Sequence, residues 1–434
     1  MSNINIQSVI ENEYKDYAIY VLESRAIPSM IDGLKPSQRK ALYTAVAKAN
    51  SPVKTMSLIG STISHANFHH GDASLGSAIN LMAAPWANNR PLLHGIGSFG
   101  SKVAPEAASP RYTSVKLSKN FALYFNDNDI LPTNDDPENP EPRFYLPLIP
   151  WVLVNGVRGI AVGFATEIQP RNPDDLTKAC AKYIETGKLP KEIAPYYEGF
   201  KGSIEKNAAG EWICTGAFNW MGANKVEVTE LPVGVSRSKY VAQLDKLEDA
   251  GKIASFKDYC DKSGFRFQIA FKRGARKTDK QIVRLLHLES KLNENLTVID
   301  THGRVKVYDN EIELIKDFCD YRLKTVETRI AHYIDRDSEA LRYARVRKEF
   351  IDSVVSSKLS FKGMNRSRLE AWVMNNITNV VSDDVAKLTS IATYSFTTDE
   401  IQKLSGRITE LQTAIKYWRS TTAKTEYLDD LSKL

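Results

Sequence analysis

The spacing of apolar residues predicts a compact, helical first part of the chain. Between Ser8 and Arg25 the apolar side chains recur every three or four residues, and Pro28 ends this pattern. Pro36 suits the first turn of a second helix, because the N–H that proline lacks has no helical partner there. The helices predicted for residues 1–125 are Ser8–Arg25, Lys35–Ala49, Ser74–Ala84 and Ser118–Phe125.

The middle of the chain changes to an alternation of apolar and polar residues, which is typical of β-strands. This alternation occurs over Lys225–Leu231 and again over Phe265–Phe271, with a predicted helix at Ser238–Ala250 between them. Residues 126–145 are rich in Asp, Asn and Pro and predict a long surface loop. We therefore expect residues 195–310 to form a mixed α/β domain.

The last part of the chain returns to helical spacing in two seams. Apolar residues recur at intervals of three or four from Ile312 to Tyr333 and from Ile401 to Trp418. Thr397 and Glu400 predict a capping box at the start of the second helix. Because the segment 357–396 between the seams is irregular, we expect an antiparallel coiled coil with a small globular tip.

Composition and charge exclude several classes of protein. A length of 434 residues corresponds to about two to four domains. With 42% hydrophobic and 25% charged residues, the chain is neither wholly disordered nor fibrous. The net charge of +6 is too small to identify a nucleic-acid partner by itself. The 4 cysteines show no C-x-x-C spacing and indicate reduced thiols, not disulfides or a zinc site.

No export signal and no membrane span are expected. The N-terminus lacks a basic region followed by an apolar core. The stretch Leu146–Ala165 is apolar, but prolines, glycines and Arg158 interrupt it, so it predicts buried turn and strand structure. We expect a soluble, cytoplasmic protein without a membrane partner.

Two short motifs suggest a nucleotide site and a metal site, and each has a simpler explanation. Gly95–Gly100 matches G-x-G-x-x-G, but Pro105 follows where a nucleotide motif needs a helix, so a glycine-rich turn is favoured. The segment His69–Asp72 holds two histidines and an aspartate, but zinc sites use three or four ligands and no further Cys/His cluster lies nearby. Hydrogen bonds from the histidines to phosphate oxygens are the favoured role.

A basic segment and a tyrosine suggest chemistry on DNA. Residues 25–54 carry six Lys or Arg side chains against Asp32 as the sole acid. This pattern suits a duplex backbone, although a solvated basic face explains the composition equally well. Tyr112 follows Arg111, and a phenolate can attack a phosphodiester where a fixed cation holds the developing charge. The pair is informative only if the surrounding helices bind DNA.

Five segments, in order along the chain, carry a more specific signal. They are Ser24–Lys40 (SRAIPSMIDGLKPSQRK), Asn67–Leu75 (NFHHGDASL), Ala107–Thr113 (AASPRYT), Tyr145–Ile160 (with YLP and NGVRGI at its ends) and Glu227–Val233 (EVTELPV). Together these segments resemble the type IIA DNA topoisomerases, in the part that breaks and rejoins DNA. The residues of these segments are more similar to those of eukaryotic topoisomerase II than to those of gyrase A. As a short, separate chain it most resembles the phage members of the family.

The resemblance implies catalytic and DNA-binding residues. Tyr112 would be the nucleophile that takes the 5′-phosphate, Arg111 would stabilise the transition state, and His70 would hold the scissile phosphate. The other DNA-binding residues that it implies are Arg25, Lys35, Arg39, His69, Ser74 and Ile160. Of these, Ile160 would be an apolar wedge that inserts between base pairs and bends the duplex.

The fold implied by the resemblance is α+β and multidomain. Its expected parts are an N-terminal helix or arm at residues 1–24 and a winged-helix DNA-cleavage domain at residues 25–145. A mixed α/β tower domain at residues 146–310 would follow. Residues 311–434 would form a long antiparallel coiled coil with a small helical dimer gate.

The resemblance also implies partners and cofactors. The sequence contains neither an ATP-binding domain nor the acidic Toprim pattern (E-G-D-S with D-x-D). It therefore implies a separate large subunit that holds Mg²⁺ and hydrolyses ATP, and a homodimer of this chain that acts on double-stranded DNA. Without a DNA-wrapping domain, relaxation is expected, not negative supercoiling. A phage-encoded chain would work in the host cytoplasm or nucleoid.

Two other functions compete with strand passage. A noncatalytic DNA-bending architectural protein would need only the basic segment 25–54 and Ile160, and the intact Arg111–Tyr112 pair argues against it. A tyrosine recombinase would carry an Arg/His constellation spread over a C-terminal catalytic domain, whereas Tyr112 lies early in the chain.

Overall fold

The computed structural model describes residues 14–272 and 277–434, which fold into two compact units, the first of mixed α and β structure and the second helical. The first unit comprises the described residues up to Arg322 together with Asp430–Leu434, and the second comprises Leu323–Asp429. Of the predicted helix Ser8–Arg25, the part before residue 14 lies outside the described residues. The rest is helix α1 (Lys15–Val21), which continues as a π-helical turn over Leu22–Ala26.

A winged-helix fold begins after this turn. Its elements are helices α2 (Pro36–Lys48), α3 (Thr55–His65) and α4 (Asp72–Ala83), and strands β1 (Val53–Lys54), β2 (Leu93–Ile96) and β3 (Ser114–Leu117). The strands form an antiparallel sheet in the order β1-β3-β2, and the long β2–β3 connection is the wing. Gly76 lets the helices approach closely, because a Cβ there would lie 3.1 Å from Cδ1 of Ile59. The predicted winged-helix fold is confirmed.

The next segment carries the predicted loop and a hairpin. After α5 (Lys119–Tyr124), residues 126–145 are irregular apart from one turn of 3₁₀-helix at Asn128–Ile130. Helix α6 (Trp151–Asn155) is buried, and a hairpin of β4 (Val157–Ile160) and β5 (Ala165–Ile168) follows it. The apolar stretch Leu146–Ala165 is thus buried as predicted over residues 146–154, but its hairpin is largely exposed. Among the described residues, no helix is long and apolar enough to cross a membrane.

The predicted α/β region contains three antiparallel sheets. Its helices are α7 (Pro173–Thr186), α8 (Arg237–Asp249) and α9 (Asp279–Leu285). Strands β8 (Ala217–Gly222), β9 (Lys225–Glu230), β10 (Ser255–Asp258) and β11 (Phe267–Ala270) form a sheet in the order β10-β11-β9-β8. Strands β6 (Ser203–Lys206), β7 (Trp212–Thr215) and β12 (Glu289–Lys291) form a second, and β13 (Leu296–Ile299) pairs with β14 (Val305–Tyr308).

Both alternating segments of this region are strands, as predicted. Val226 and Val228 of β9 are fully buried, and Val228 lies opposite the equally buried Phe267 of β11. Tyr240 and Leu244 of α8 belong to the same apolar core. The period of two therefore places one face of each strand against helix α8.

The second unit contains the two predicted long helices. Helix α10 (Glu311–Val355) begins in the first unit, and α13 (Thr398–Ser420) returns beside its later part, with the rings of Tyr333 and Trp418 4.9 Å apart. The tip between them contains α11 (Arg366–Asn376) and α12 (Ser382–Thr389), and α14 (Ala423–Ser432) follows α13.

The predicted capping box is only half formed. The Thr397 hydroxyl accepts a hydrogen bond from the Glu400 N–H, but the Glu400 carboxylate pairs with Arg347 at 2.8 Å. The division between the units falls within α10, and the predicted domain edges at residues 24, 145 and 310 stay predictions.

One buried carboxylate connects the winged-helix fold to the segment before the hairpin. Asp32 has no exposed surface and accepts two hydrogen bonds from Arg39, from Nε at 2.7 Å and from Nη2 at 2.9 Å. It also accepts the backbone N–H groups of Leu34 and Tyr145, each at 3.0 Å. Burial alone would lower the pKa of Arg39, but the Asp32 carboxylate raises it above its ordinary value. The buried guanidinium of Arg39 therefore keeps its charge.

We expect Asp32→Asn to lower the free energy of unfolding by about 3 kcal/mol or more, because it leaves the Arg39 charge buried without its partner. A thermal melt of the full chain measures the effect. The matched control is Asp258→Asn, which breaks a pair with Arg237 whose side chains are 18% and 44% exposed and should cost at most about 1 kcal/mol. Equal melting temperatures for the two variants would contradict this prediction.

Candidate functional site

Tyr112 lies on the wing, directly before strand β3, and projects into solvent. Its side chain is 79% exposed, and its hydroxyl has no hydrogen-bond partner in the described parts of the chain. The backbone beneath it is fixed: Tyr112 N–H donates to the Ser109 carbonyl at 2.9 Å, and the buried Thr113 accepts the Thr55 N–H at 3.1 Å. The phenol is therefore an accessible group on a well-held turn. The adjacent Arg111 is also exposed.

The glycine-rich segment before Tyr112 is a turn, as the sequence predicts. Gly97 and Gly100 have φ angles of +107° and +77°, which favour glycine. A Cβ at Gly100 would lie 2.4 Å from the Pro105 carbonyl oxygen. No helix follows the motif before β3. The nucleotide-binding alternative therefore lacks the helix N-terminus that it needs.

Three of the predicted DNA-binding residues line one cavity of about 630 Å³. They are Arg25 from the π-helical turn, Lys35 at the start of α2, and Ser74 in the first turn of α4. Lys35 Nζ donates to the Arg158 carbonyl at 2.8 Å, which joins α2 to strand β4. Burial lowers the pKa of the Lys35 ammonium below its ordinary value.

Ile160 ends strand β4 with its side chain 78% exposed. It pairs with Ala165 across the hairpin, and Ala161 N–H donates to the Phe164 carbonyl at 2.9 Å in the connecting turn. The preceding Gly159 is buried, and a Cβ there would lie 2.1 Å from the Ala26 carbonyl oxygen. Glycine at position 159 thus allows the hairpin to pack against the π-helical turn. The side chain of Ile160 remains exposed to solvent.

The two histidines lie immediately before α4 and line another cavity of about 610 Å³. Both side chains are exposed. His70 Nε2 is hydrogen-bonded to the Tyr20 hydroxyl at 2.9 Å, and its ring meets the buried Phe68 edge-on at 5.4 Å between centroids. Sequence reasoning missed Tyr20, because a contact between residues fifty positions apart leaves no local signal.

Arg39 lies mostly inside the protein, although it also lines the cavity of the two histidines. Only 8% of the residue is exposed, and its guanidinium is bonded to Asp32 and to the Leu34 carbonyl. These bonds fix the turn before Lys35. The expected contact of Arg39 with neighbouring DNA backbone stays a prediction.

The described residues do not form a metal site. Nowhere in residues 14–272 and 277–434 do three or more His, Cys, Asp or Glu side chains cluster so that they could hold a metal ion. His70 Nε2 is already bonded to Tyr20. These residues therefore do not fit Mg²⁺ as a cofactor held by this chain alone.

The structure brings some predicted site residues together and leaves others apart. Arg25, Lys35 and Ser74 share one cavity, and His69 and His70 share another. In the described residues, no hydrogen bond or ring contact joins Tyr112 to any of them. Among the described residues, the phenol on the wing and the polar groups on the helices are therefore not in direct contact.

Comparisons with known proteins agree with this geometry. A family model that describes the A-type subunit of DNA gyrase/topoisomerase IV matches residues 25–433. The chain is 35% identical to the DNA topoisomerase medium subunit of Enterobacteria phage T4, covering 100% of this chain and 99% of that protein. It is 28% identical to a putative mitochondrial DNA topoisomerase 2 of Caenorhabditis elegans, covering 100% of this chain but 40% of that longer protein.

A solved structure has the same architecture. The DNA-binding, cleavage and re-ligation domain of Plasmodium falciparum topoisomerase II superposes with a TM-score of 0.86 at 27% sequence identity. The match covers 98% of this chain and 63% of that one.

Proposed function

The chain belongs to the DNA gyrase/topoisomerase IV family, among its A-type subunits, and from this premise we propose that it breaks and rejoins DNA through Tyr112. It is the breakage–rejoining subunit of a type II DNA topoisomerase. The observation that carries the assignment to Tyr112 is its exposed phenol on the wing, beside an exposed arginine.

The reaction we propose needs only the phenol as a nucleophile. Tyr112 Oη attacks a backbone phosphorus and loses its proton, the bond from phosphorus to the 3′ oxygen breaks, and that oxygen leaves as a 3′-hydroxyl. The product is a 5′-phosphotyrosine. Attack by the same 3′-hydroxyl reverses the exchange and reseals the strand without spending ATP at that step. Arg111, adjacent to the phenol, would stabilise the charge that develops on the phosphate oxygens.

In this proposal, the cavity lined by Arg25, Lys35 and Ser74 binds the DNA backbone. Arg25 and Lys35 offer cations to phosphate oxygens, and Ser74 offers a hydroxyl and the N-terminal end of α4. His69 and His70 offer imidazole nitrogens for hydrogen bonds to the same backbone. None of these groups reads base edges, so binding should depend strongly on salt and weakly on sequence.

Ile160 acts as the wedge in this proposal. Its side chain is apolar, 78% exposed and presented at the end of a paired hairpin. Insertion between base pairs costs a few kcal/mol of unstacking, which the contacts of a bent duplex offset. The exposed phenol argues against the architectural alternative, because a protein that only bends DNA has no use for it.

The proposed enzyme needs a second copy of this chain and a different partner. One tyrosine cuts one strand, so a double-strand break through which another duplex passes requires a homodimer. The described residues contain no cluster that could hold a metal ion. We therefore propose that a separate large subunit with ATPase and Toprim modules holds Mg²⁺ and hydrolyses ATP. The word "medium" in the name of the phage T4 relative fits a multisubunit assembly.

Tyr112→Phe should abolish covalent DNA–protein adducts and leave duplex binding nearly unchanged, because only the nucleophilic oxygen is removed. Denaturing gels of labelled DNA, with the large subunit present, measure adducts, and a gel shift measures binding. Tyr394→Phe is the matched control, since Tyr394 is 83% exposed in the second unit. Adducts that persist in Tyr112→Phe would remove Tyr112 from its proposed role.

As the pH rises, the affinity for duplex DNA should begin to fall at a lower pH than it would if Lys35 had the pKa of an ordinary lysine. A lysine is charged below its pKa and loses its charge above it, and burial lowers the pKa of Lys35. As the pH rises towards the ordinary pKa of lysine, progressive loss of this cation should reduce the salt slope of binding by up to about 1. Fluorescence anisotropy with a labelled duplex measures this slope. Lys35→Arg stays charged, so a slope that falls equally in that variant would refute the assignment.

Ile160→Ala should reduce the bend of bound DNA, because a methyl group cannot separate stacked base pairs. Energy transfer between dyes at the two ends of a short duplex measures the bend. Val307→Ala is the control, since Val307 is an aliphatic residue that is 58% exposed on β14. An unchanged bend in Ile160→Ala would show that the hairpin does not enter the duplex.

A further inference from the structure

The second unit contains a basic cleft that the cleavage reaction does not use. It has a volume of about 830 Å³ and lies between helices α10 and α13 and the start of the loop after α11. Four basic side chains line it, and one acidic side chain does. The basic residues are Arg342, Arg345, Lys416 and Arg419, and the acidic residue is Glu349.

Three of the four cations have no partner among the residues that the structure describes. Arg345, Lys416 and Arg419 are exposed, and none of them makes a hydrogen bond or ion pair with any residue that the structure describes. Lys416 and Arg419 are three positions apart on α13 and so share a face, on which like charges repel unless an anion lies between them.

Several other arginines of the same unit are paired. Arg347 bonds to Glu400 at 2.8 Å, Arg366 to Glu370 at 2.8 Å, and Arg407 to Glu410 at 3.1 Å. Exposed cations without a partner among the described residues also occur outside the cleft, for example Arg368 and Lys403. What distinguishes Arg345, Lys416 and Arg419 is that they line one concavity.

Hydrogen bonds and ion pairs fix the other charged side chains of the cleft in place. Arg342 bonds to Asp384 at 2.6 Å and to the Asn379 carbonyl at 2.9 Å, in addition to the Glu339 carboxylate. Glu349 accepts the N–H and the hydroxyl of Thr378, both at 3.1 Å. The one acid of the cleft is thus bonded to the loop, and the three unpaired cations stay available to a ligand.

We propose that this cleft binds the sugar–phosphate backbone of duplex DNA, as a second DNA contact separate from the wing. The inference rests on the proposed function, which brings two duplexes to the enzyme. Charge complementarity selects the ligand: a row of unpaired cations in an open cleft suits a polyanion with regularly spaced phosphates. A small phosphate ion would satisfy only part of the row.

The test uses Lys416 as a reporter in the full chain. Acetylation of exposed lysines is followed by mass spectrometry, with and without a saturating duplex, and with inorganic phosphate at the same phosphate concentration. We expect the duplex to protect Lys416, inorganic phosphate not to, and Lys403, which is also exposed on α13, to react in all samples. Equal protection by inorganic phosphate would overturn the proposal in favour of a small-anion site.

A double variant and its matched control complete the test. Arg345→Ala with Arg419→Ala should abolish the protection of Lys416 and lower the salt slope of total DNA binding by about 2. Arg366→Ala with Arg407→Ala removes the same charge outside the cleft and should leave the protection intact. Protection that survives in the cleft variant, or is lost in the control, would overturn the proposal.

Adduct formation at Tyr112, measured on the same proteins with the large subunit, separates this inference from the proposed function. No protection of Lys416 in a chain that still forms adducts refutes the cleft alone. Protection without adducts in the unmodified chain refutes cleavage and leaves the cleft as a DNA contact.

Discussion

The buried carboxylate of Asp32 is the interaction on which the geometry of the proposed DNA-binding residues depends. It holds the guanidinium of Arg39 in helix α2, the turn that ends at Leu34, and the backbone of Tyr145 before helix α6. Lys35 caps the start of α2 directly after that turn, and strand β4 with Ile160 follows α6. Lys35 and Ile160 therefore lie on segments that one ion pair connects. Arg39, in the basic segment 25–54, stabilises the protein interior in this way.

The exposed groups of the candidate site are held by backbone contacts and not by contacts of their own side chains. Tyr112 and Ile160 are each nearly four-fifths exposed, which for large side chains leaves apolar surface in water. Each stands on a fixed frame, because Thr113 is bonded to helix α3 and Gly159 packs against the Ala26 carbonyl. The backbone of each residue is thus pre-organised for a ligand, and only the rotamer freedom of its side chain remains to be lost on binding.

The sequence predicted the elements whose repeating pattern extends over many residues. The two seams of the second unit and the strand Lys225–Glu230 were found because packing against one partner imposes a period on the chain. Strands β1, β2 and β3 were missed, since two to four residues are too few to show an alternation. Motif resemblance predicted site roles for Tyr112 and Ile160, which stay predictions, and it could not separate Arg39, bonded to Asp32, from Lys35 nearby. Whether a basic side chain is buried in an ion pair or left exposed depends on which acid lies next to it in the folded structure, and the local sequence does not show this.

The distribution of charge suggests which tasks belong to this chain and which to the other subunit of the assembly that we propose. This chain offers cations and a phenol, whereas its described acids are paired or scattered and form no metal-binding cluster. Phosphodiester exchange by a phenol conserves bond energy, so the chain has no need of ATP for cutting or resealing. Energy is needed only to give the movement of a second duplex a direction, and a separate subunit can supply it. The chain can then keep its unpaired cations for DNA, on the winged-helix fold and in the cleft of the second unit.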